Sequence, residues 1–162
     1  MRNDRKTVIF DLDGTLALID SRRFLATNQV TGKMDWDIFF DPKNISLDQP
    51  NTPVITMAQT LHSQGFRIVI FSGRSKATYR TTRQWLIQND VPFYMLQMRP
   101  NDRDTGGHFH FMKDSDLKQM WLDDTDIVDK NDVFAVFDDR NQVVDMWRAN
   151  GLQTFQVAEG DF

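Results

Sequence analysis

The chain has 162 residues, 19 Lys and Arg against 23 Asp and Glu, and no cysteine. That length fits one domain over residues 1–162. The mild acidity argues against a dedicated duplex-DNA binder, and the lack of thiols excludes disulfides and thiolate metal sites and fits a reducing cytoplasm.

Taken in order, the charged start Met1–Lys6 leads into Val8-Ile9-Phe10, a short apolar run that reads as a strand buried on both faces. It is no signal peptide, and no apolar run approaches the roughly 20 residues that span a bilayer. Leu16 to Gln49 is long and mixed. Thr52 then caps a helix with Pro53 at its first position, an apolar stripe of Val54, Met57, Ala58 and Leu61, and Gly65 as its stop. Ile68 to Phe71 is the second buried strand, a helix follows from about 76 to 88, and Phe93 to Leu96 is a weaker strand. After the polar stretch Met98–Met112, a helix starting near Asp114 turns Leu117, Met120 and Trp121 inward. Val133 to Phe137 is the fourth strand, a helix near Asn141 buries Val143, Val144 and Trp147 and stops at Gly151, and Thr154 to Val157 is the fifth. Strand–helix alternation predicts a three-layer α/β/α fold around a five-stranded parallel sheet, with chemistry at the carboxyl ends of the strands.

Those ends carry the reactive side chains. The first strand runs into Asp11-Leu12-Asp13-Gly14-Thr15, where carboxylates at i and i+2 can enter one crevice. Phosphoryl transfer has a use for two: one ionised to attack phosphorus, the other protonated to serve the leaving oxygen and later to deprotonate water. Like-charge proximity would separate their pKa values. The second strand ends in Ser72-Gly73-Arg74, whose hydroxyl and N–H groups can grip a phosphoryl oxygen or simply form a turn. The fourth ends in Asp138-Asp139-Arg140, which can complete an oxygen site for a hard cation such as magnesium or cap the next helix. Asp114 and Lys118 sit at i and i+4 and can pair.

Together, Asp11-x-Asp13-Gly14-Thr15, Ser72, the downstream Lys118 and Asp138-Asp139 resemble the four ordered motifs of the haloacid dehalogenase superfamily. Longer matches, among them Thr82-Arg83-Gln84-Trp85, Gln142-Val143-Val144-x-Met146-Trp147-Arg148 and the ending Gln156-Val157-Ala158-x-Gly160-Asp161-Phe162, are similar to the 3′-phosphatase domain of bacteriophage-type polynucleotide kinase-phosphatase. The resemblance implies a phosphomonoesterase that works through an aspartyl-phosphate. Asp11 would be nucleophile and Asp13 general acid-base. Magnesium would be held by Asp11, the Asp13 main-chain oxygen and Asp138, with Asp139 in support. Ser72 and Lys118 would hold the phosphoryl group, Arg22 and Arg74 would lie near the substrate phosphate, Gly73 would belong to the gripping turn, and Asp114 would orient the site. The segment at about 23–51 and the loop at about 99–112 are longer than that pattern, and the Gly-x-x-x-x-Gly-Lys-Ser/Thr phosphate loop of a kinase half does not occur.

Substrate is the open question at this level. Lys76, Arg80 and Arg83 share a helical face that either steers a polyanion or is simply solvated, and Arg22-Arg23, Arg99 and Arg103 could extend it. Trp36, Phe39 and Phe40 read as a base-stacking platform or as a small satellite core. His108 and His110 suggest a metal pair, but with three histidines in the chain and none needed by magnesium they read as loop residues. The resemblance implies a 3′-phosphorylated DNA or RNA end as the substrate, in a host cytoplasm if the chain is phage-encoded. A free nucleotide under a lid is the alternative, and a binding module without chemistry is the third reading. No membrane partner is expected, and oligomerisation is left open.

Overall fold

The computed structural model describes residues 6–161. Met1–Arg5 and Phe162, part of the charged start and of the family-like ending, lie outside the described residues.

Five parallel strands form the sheet: β1 (Thr7–Asp11), β4 (Arg67–Ser75), β5 (Met95–Arg99), β6 (Val133–Asp138) and β7 (Thr154–Gln156), in spatial order β5-β4-β1-β6-β7. The expected α/β architecture is thus present, and its layers follow from strand periodicity. In β1, Val8 and Phe10 join Ile68, Ile70, Ala135 and Phe137 in one core, while Ile9 joins Val69, Phe71 and Val136 in the other. Helices α4 (Thr52–Ser63) and α5 (Tyr79–Gln88) cover the first face through Ile55, Ala58, Trp85 and Leu86. Helices α6 (Asp114–Asp123) and α7 (Asn141–Ala149) cover the second through Leu117, Trp121, Leu122, Val143 and Trp147. From β1 the chain winds outward to β4 and β5, then returns to build β6 and β7 on the other side. The winding reverses beside β1, where open α/β sheets place their ligands.

Several boundaries differ from the sequence pattern. The third strand begins at Met95 rather than Phe93. The helix expected from 76 opens as a 3-10 turn, Lys76–Thr78, with Ser75 Oγ accepting from Ala77 N. Asn51, not Thr52, takes the N-cap position of α4, and its side chain donates instead to Thr15 O at 2.9 Å. Met57 and Met120, both expected inside, are exposed; Ile55 and Leu122 fill the buried positions. In each helix the inward arc is rotated by about one residue, a shift that a stripe containing flexible methionines does not reveal.

The long segment after β1 is folded. Short strands β2 (Ala17–Leu18) and β3 (Gln49–Pro50) pair antiparallel and return its end to its beginning. Between them lie α1 (Asp20–Ala26), α2 (Trp36–Phe39) and α3 (Pro42–Ile45), around a satellite core of Ile19, Ala26 and Phe39 with Met34 and Phe40 against it. No helix among the described residues is long and apolar enough to cross a membrane.

Candidate active site

Three clusters of charge meet at the carboxyl end of the sheet. The first joins β1, β6 and α6. Lys118 Nζ donates to Asp11 Oδ1 at 2.6 Å and to Asp138 Oδ2 at 3.0 Å, and all three side chains are buried. Trp147 Nε1 donates to the same Asp138 oxygen at 3.0 Å, while Asp138 Oδ1 accepts from the backbone N–H groups of Asp139 and Arg140 at the start of α7. The hydroxyl of Thr15 lies 3.1 Å from Asp11 Oδ2 and 3.4 Å from Asp139 Oδ1 and gives its one proton to one of them. Gly14 lets this turn form: its φ is +82°, and a Cβ there would lie 2.1 Å from Asp139 Oδ2.

Asp11, Asp138 and Asp139 each bring one carboxylate oxygen within 4.8 Å of the others. Burial pushes Asp11 well above the usual carboxylate range, and Asp138 and Asp139 push the same way against the opposing pull of Lys118. Burial, then Asp138, raise Asp139 to about 6. Burial alone would lower Lys118, but Asp11 and Asp138 outweigh it and hold its ammonium charged. One fixed cation therefore faces three crowded acids. Closely spaced hard oxygens with excess negative charge fit a hard divalent cation.

The second cluster is one the sequence does not reveal in full. Asp13 is held by arginines rather than by the lysine that holds Asp11. Its Oδ1 accepts from Arg22 at 2.7 Å and from Arg74 Nε at 3.0 Å. Both arginines also bind Asp48: Arg22 in a two-pronged pair at 2.8 and 2.9 Å, Arg74 at 2.9 Å. Arg22 also donates to Phe39 O and Arg74 to Thr82 Oγ1, so both guanidinium groups, about 1% exposed, are committed inside the protein. Burial would raise Asp13, but Arg74 and Arg22 reverse this and hold its carboxyl low. The expected ordering of the pair is thus inverted in the free protein: Asp11 rises and Asp13 falls, because the arginines rather than Asp11 dominate around Asp13. Burial lowers Arg22 less than Asp13 and Asp48 raise it. Burial raises Asp48 more than its arginine partners lower it.

The third cluster flanks Ser72-Gly73. Ser72 is buried and its Oγ accepts from Arg74 N at 3.2 Å. Asp114 accepts from Arg99 and, at 2.9 Å, from Arg140. It stands so close to Gly73 that a Cβ there would lie 2.6 Å from its Oδ1. Arg99 also donates to Gly73 O, Phe109 O and Met112 O, tying down the loop that follows β5.

Asp11, Asp138, Asp139 and Lys118 therefore come together. Asp13, Arg22 and Arg74 form a neighbouring group, linked to the Ser72-Gly73 turn by the Arg74 backbone. Lys76, Arg80 and Arg83 do not join them and stay exposed on the turn and helix beyond. Arg99 is no part of a basic patch, being nearly buried and fully engaged, and Arg103 pairs with Asp37 at 3.1 Å. Phe39 belongs to the satellite core, and Trp36 alone of that trio is largely exposed. Three participants are given no role by the sequence reading. Thr15 is visible in the Asp-x-Asp-Gly-Thr run. Trp147 reads only as apolar. Asp48 has no local signal, since only the β2–β3 pairing returns it to the site.

A parallel sheet whose winding reverses beside an Asp-bearing β1, with a buried lysine and paired acids at its carboxyl end, defines a phosphatase of the haloacid dehalogenase type. Comparison narrows the class. The family model of the polynucleotide kinase PNKP phosphatase domain matches residues 5–162, and the chain belongs to that family. A protein of Autographa californica nuclear polyhedrosis virus that carries the name bifunctional polynucleotide kinase/RNA ligase is 37% identical over 145 residues, 88% of this chain; the match spans only 18% of that relative. A chain in the solved Pnkp1/Rnl/Hen1 complex is 32% identical with a TM-score of 0.74 over 98% of this chain and 47% of its own length. A haloacid dehalogenase family enzyme from Bacteroides thetaiotaomicron, solved with magnesium and inorganic phosphate, shares the fold at 14% identity with a TM-score of 0.56, over 98% of this chain and 96% of its own.

Proposed function

We propose that this phosphatase removes the terminal phosphate from 3′-phosphorylated nucleic acid ends through an aspartyl-phosphate on Asp11. The observation that carries the reading is the buried Lys118–Asp11 pair at 2.6 Å, set at the carboxyl end of β1 with Asp138 and Asp139 close by. Family membership and the names of the relatives support the nucleic acid substrate.

In the first half of the reaction an Asp11 carboxylate oxygen attacks phosphorus in line, the bond from phosphorus to O3′ breaks, and Asp13 gives O3′ its proton. In the second half water attacks the same phosphorus, Asp13 takes its proton, and the acyl-phosphate bond breaks to return Asp11 and release phosphate. Lys118 and the Ser72 hydroxyl steady the phosphoryl oxygens as charge develops. Asp11, Asp138 and the Asp13 main-chain oxygen would hold magnesium, with Asp139 supporting them; bound there, the ion neutralises phosphoryl charge. Held ionised by Arg22 and Arg74, Asp13 is ready as the base of the second half. Its acid role requires Asp13 to take up a proton against the pull of those guanidinium groups. Gly73 keeps the gripping turn close to Asp114, which orients that side through Arg99 and Arg140. The exposed face of Lys76, Arg80 and Arg83 gives a polynucleotide its track. Residues 1–162 act as one domain in this reading.

Magnesium-dependent phosphate release from a 3′-phosphorylated oligonucleotide, beside free 3′- and 5′-mononucleotides, tests it. The oligonucleotide should be strongly preferred, and Asp11→Asn should abolish turnover without altering the circular dichroism spectrum. A preference for a mononucleotide would overturn the polynucleotide reading. Normal release by Asp11→Asn would overturn the nucleophile.

A further inference from the structure

A cleft of about 530 Å³ lies between the segment after β1 and the loop after β5. These segments leave the same end of the sheet on either side of β4, whose end carries Ser72-Gly73-Arg74, and they meet through the Arg103–Asp37 ion pair. One wall is Trp36, which is 60% exposed. Its indole is braced from behind, stacked on Phe40 at 6.0 Å and edge-on to Phe39 at 5.6 Å. Both phenylalanines are anchored in the satellite core. An aromatic plane is thus held in place on the wall of the cleft with much of its surface open.

The polar groups decide what it can hold. Two cations, Lys33 and Arg103, face two acids, Asp35 and Asp37, so the formal charge of the lining is zero. Asp35 is used as the N-cap of α2, accepting from Asp37 N and Ile38 N, and Asp37 is used by Arg103. This balance suits neither a phosphate nor a metal ion. It suits a neutral, flat, hydrogen-bonding group. Asn28 Oδ1 accepts from Val30 N and Thr31 N, so its amide N–H groups are what the side chain has left to donate, and Asn28 and His110 both line the cleft.

We propose that this cleft is a nucleobase subsite: a base of the substrate strand stacks on Trp36 while its edge meets Asn28 and His110. The inference rests on the nucleic acid reading above and names the part of the substrate, other than its phosphate, that the protein holds. It also gives the exposed parts of the two long segments a purpose, since the first segment serves the phosphoryl chemistry only through Asp48 and Phe39 O, which hold Arg22 and Arg74.

Trp36→Ala and Trp36→Phe are compared with the unmodified chain on three substrates: a 3′-phosphorylated oligonucleotide, the same strand made abasic at each of its last three positions in turn, and p-nitrophenyl phosphate. Stacking on one aromatic side chain is lost in Trp36→Ala, so KM for the oligonucleotide should rise about tenfold with kcat nearly unchanged. Trp36→Phe should recover most of it, p-nitrophenyl phosphate should be indifferent, and the penalty should vanish when the strand lacks one particular base. Equal losses on p-nitrophenyl phosphate, or an unchanged KM, would overturn the subsite. Tryptophan emission separates this failure from failure of the polynucleotide reading. Trp36 is the exposed tryptophan, the other three being buried, so a 3′-mononucleotide should quench the unmodified protein and leave Trp36→Phe unquenched. That result would uphold the subsite even if oligonucleotides are not preferred, and no quenching by mononucleotide or oligonucleotide would overturn it.

Discussion

Two ionic clusters lie side by side at the end of β1, and they are built to opposite specifications. Around Asp13 and Asp48, two arginines balance two acids. Among the described residues no buried side-chain nitrogen or oxygen is left without a partner, and this group is complete in itself. Around Asp11, a single lysine faces three acids. Burial and mutual repulsion raise Asp11 and Asp139 there, whereas Asp13 is held low. Buried charge of one sign left in excess is costly. The first cluster is a framework that fixes one carboxylate, and the second is a receptacle that gains from a cation.

Removing Lys118 exposes that difference most strongly. Lys118→Ala leaves Asp11 and Asp138 without the one fixed positive partner they have among the described residues. Phosphate release should fall by about two to three orders of magnitude, the usual cost of deleting a group that stabilises developing charge. The metal-free protein should also lose about 3–5 kcal/mol of stability, as when one side of a buried pair is deleted. Added magnesium should restore much of that stability and little of the activity. Thermal melts with EDTA and with magnesium, beside rate measurements, read both quantities; a stability loss that magnesium leaves untouched would break the comparison.

The sequence makes one of these clusters far more legible than the other. Asp11 and Asp138 announce themselves because strand ends are local features, and the sheet brings such ends together without further information; Lys118, by spacing only a possible partner of Asp114, takes its place from the family resemblance. Asp13 is equally visible, but its environment is not. Family resemblance sets Arg22 near a substrate phosphate, and nothing near residue 48 in the chain marks that aspartate as its partner. The pairing depends on Ala17 meeting Pro50 and Leu18 meeting Gln49, two two-residue strands too short for a periodic signal. Helix faces fail in a milder way, at Met57 and Met120, where the apolar stripe is right in kind and about one residue out in phase. The cleft at Trp36 needs both long segments folded, so sequence alone leaves its aromatic residues undecided between platform and core.

Asp48→Asn tests the framework cluster. It removes one of two acids opposite two buried guanidinium groups while keeping the shape and the acceptor oxygen. A loss of up to about 3 kcal/mol is expected because two buried guanidinium groups then share the single carboxylate of Asp13, offset in part by the burial that already disfavours the Asp48 charge, and equal in EDTA and in magnesium because Asp48 lies outside the receptacle. Activity should fall less than in Lys118→Ala, through Asp13 losing its fixed position. Stability that recovers fully with magnesium would show the two clusters to be one.

The smallest expected effect runs in the opposite direction, toward greater stability. Asp139 has a folded-state pKa of about 6, above its unfolded value, so the folded protein holds the proton more tightly. A carboxyl raised in this way contributes stability that is fully present below the unfolded pKa and lost as pH rises through about 6. Without metal, then, the ionised Asp139 works against the fold at neutral pH. Asp139→Asn, which keeps the oxygen and removes the charge, should make the metal-free protein more stable at pH 7.5 by about 2–3 kcal/mol, because each tenfold change in proton affinity between the two states is worth about 1.4 kcal/mol. That advantage should shrink as pH falls below 6, where the wild-type carboxyl becomes neutral. Magnesium should reverse the order, since the variant gives up part of the negative charge that attracts the ion. Thermal melts of both proteins from pH 4.5 to 8, with EDTA and with magnesium, carry the test. A variant less stable at pH 7.5 in EDTA would mean that Asp139 is already compensated inside the protein, as Asp13 is, and the contrast between receptacle and framework would fail at its weakest point.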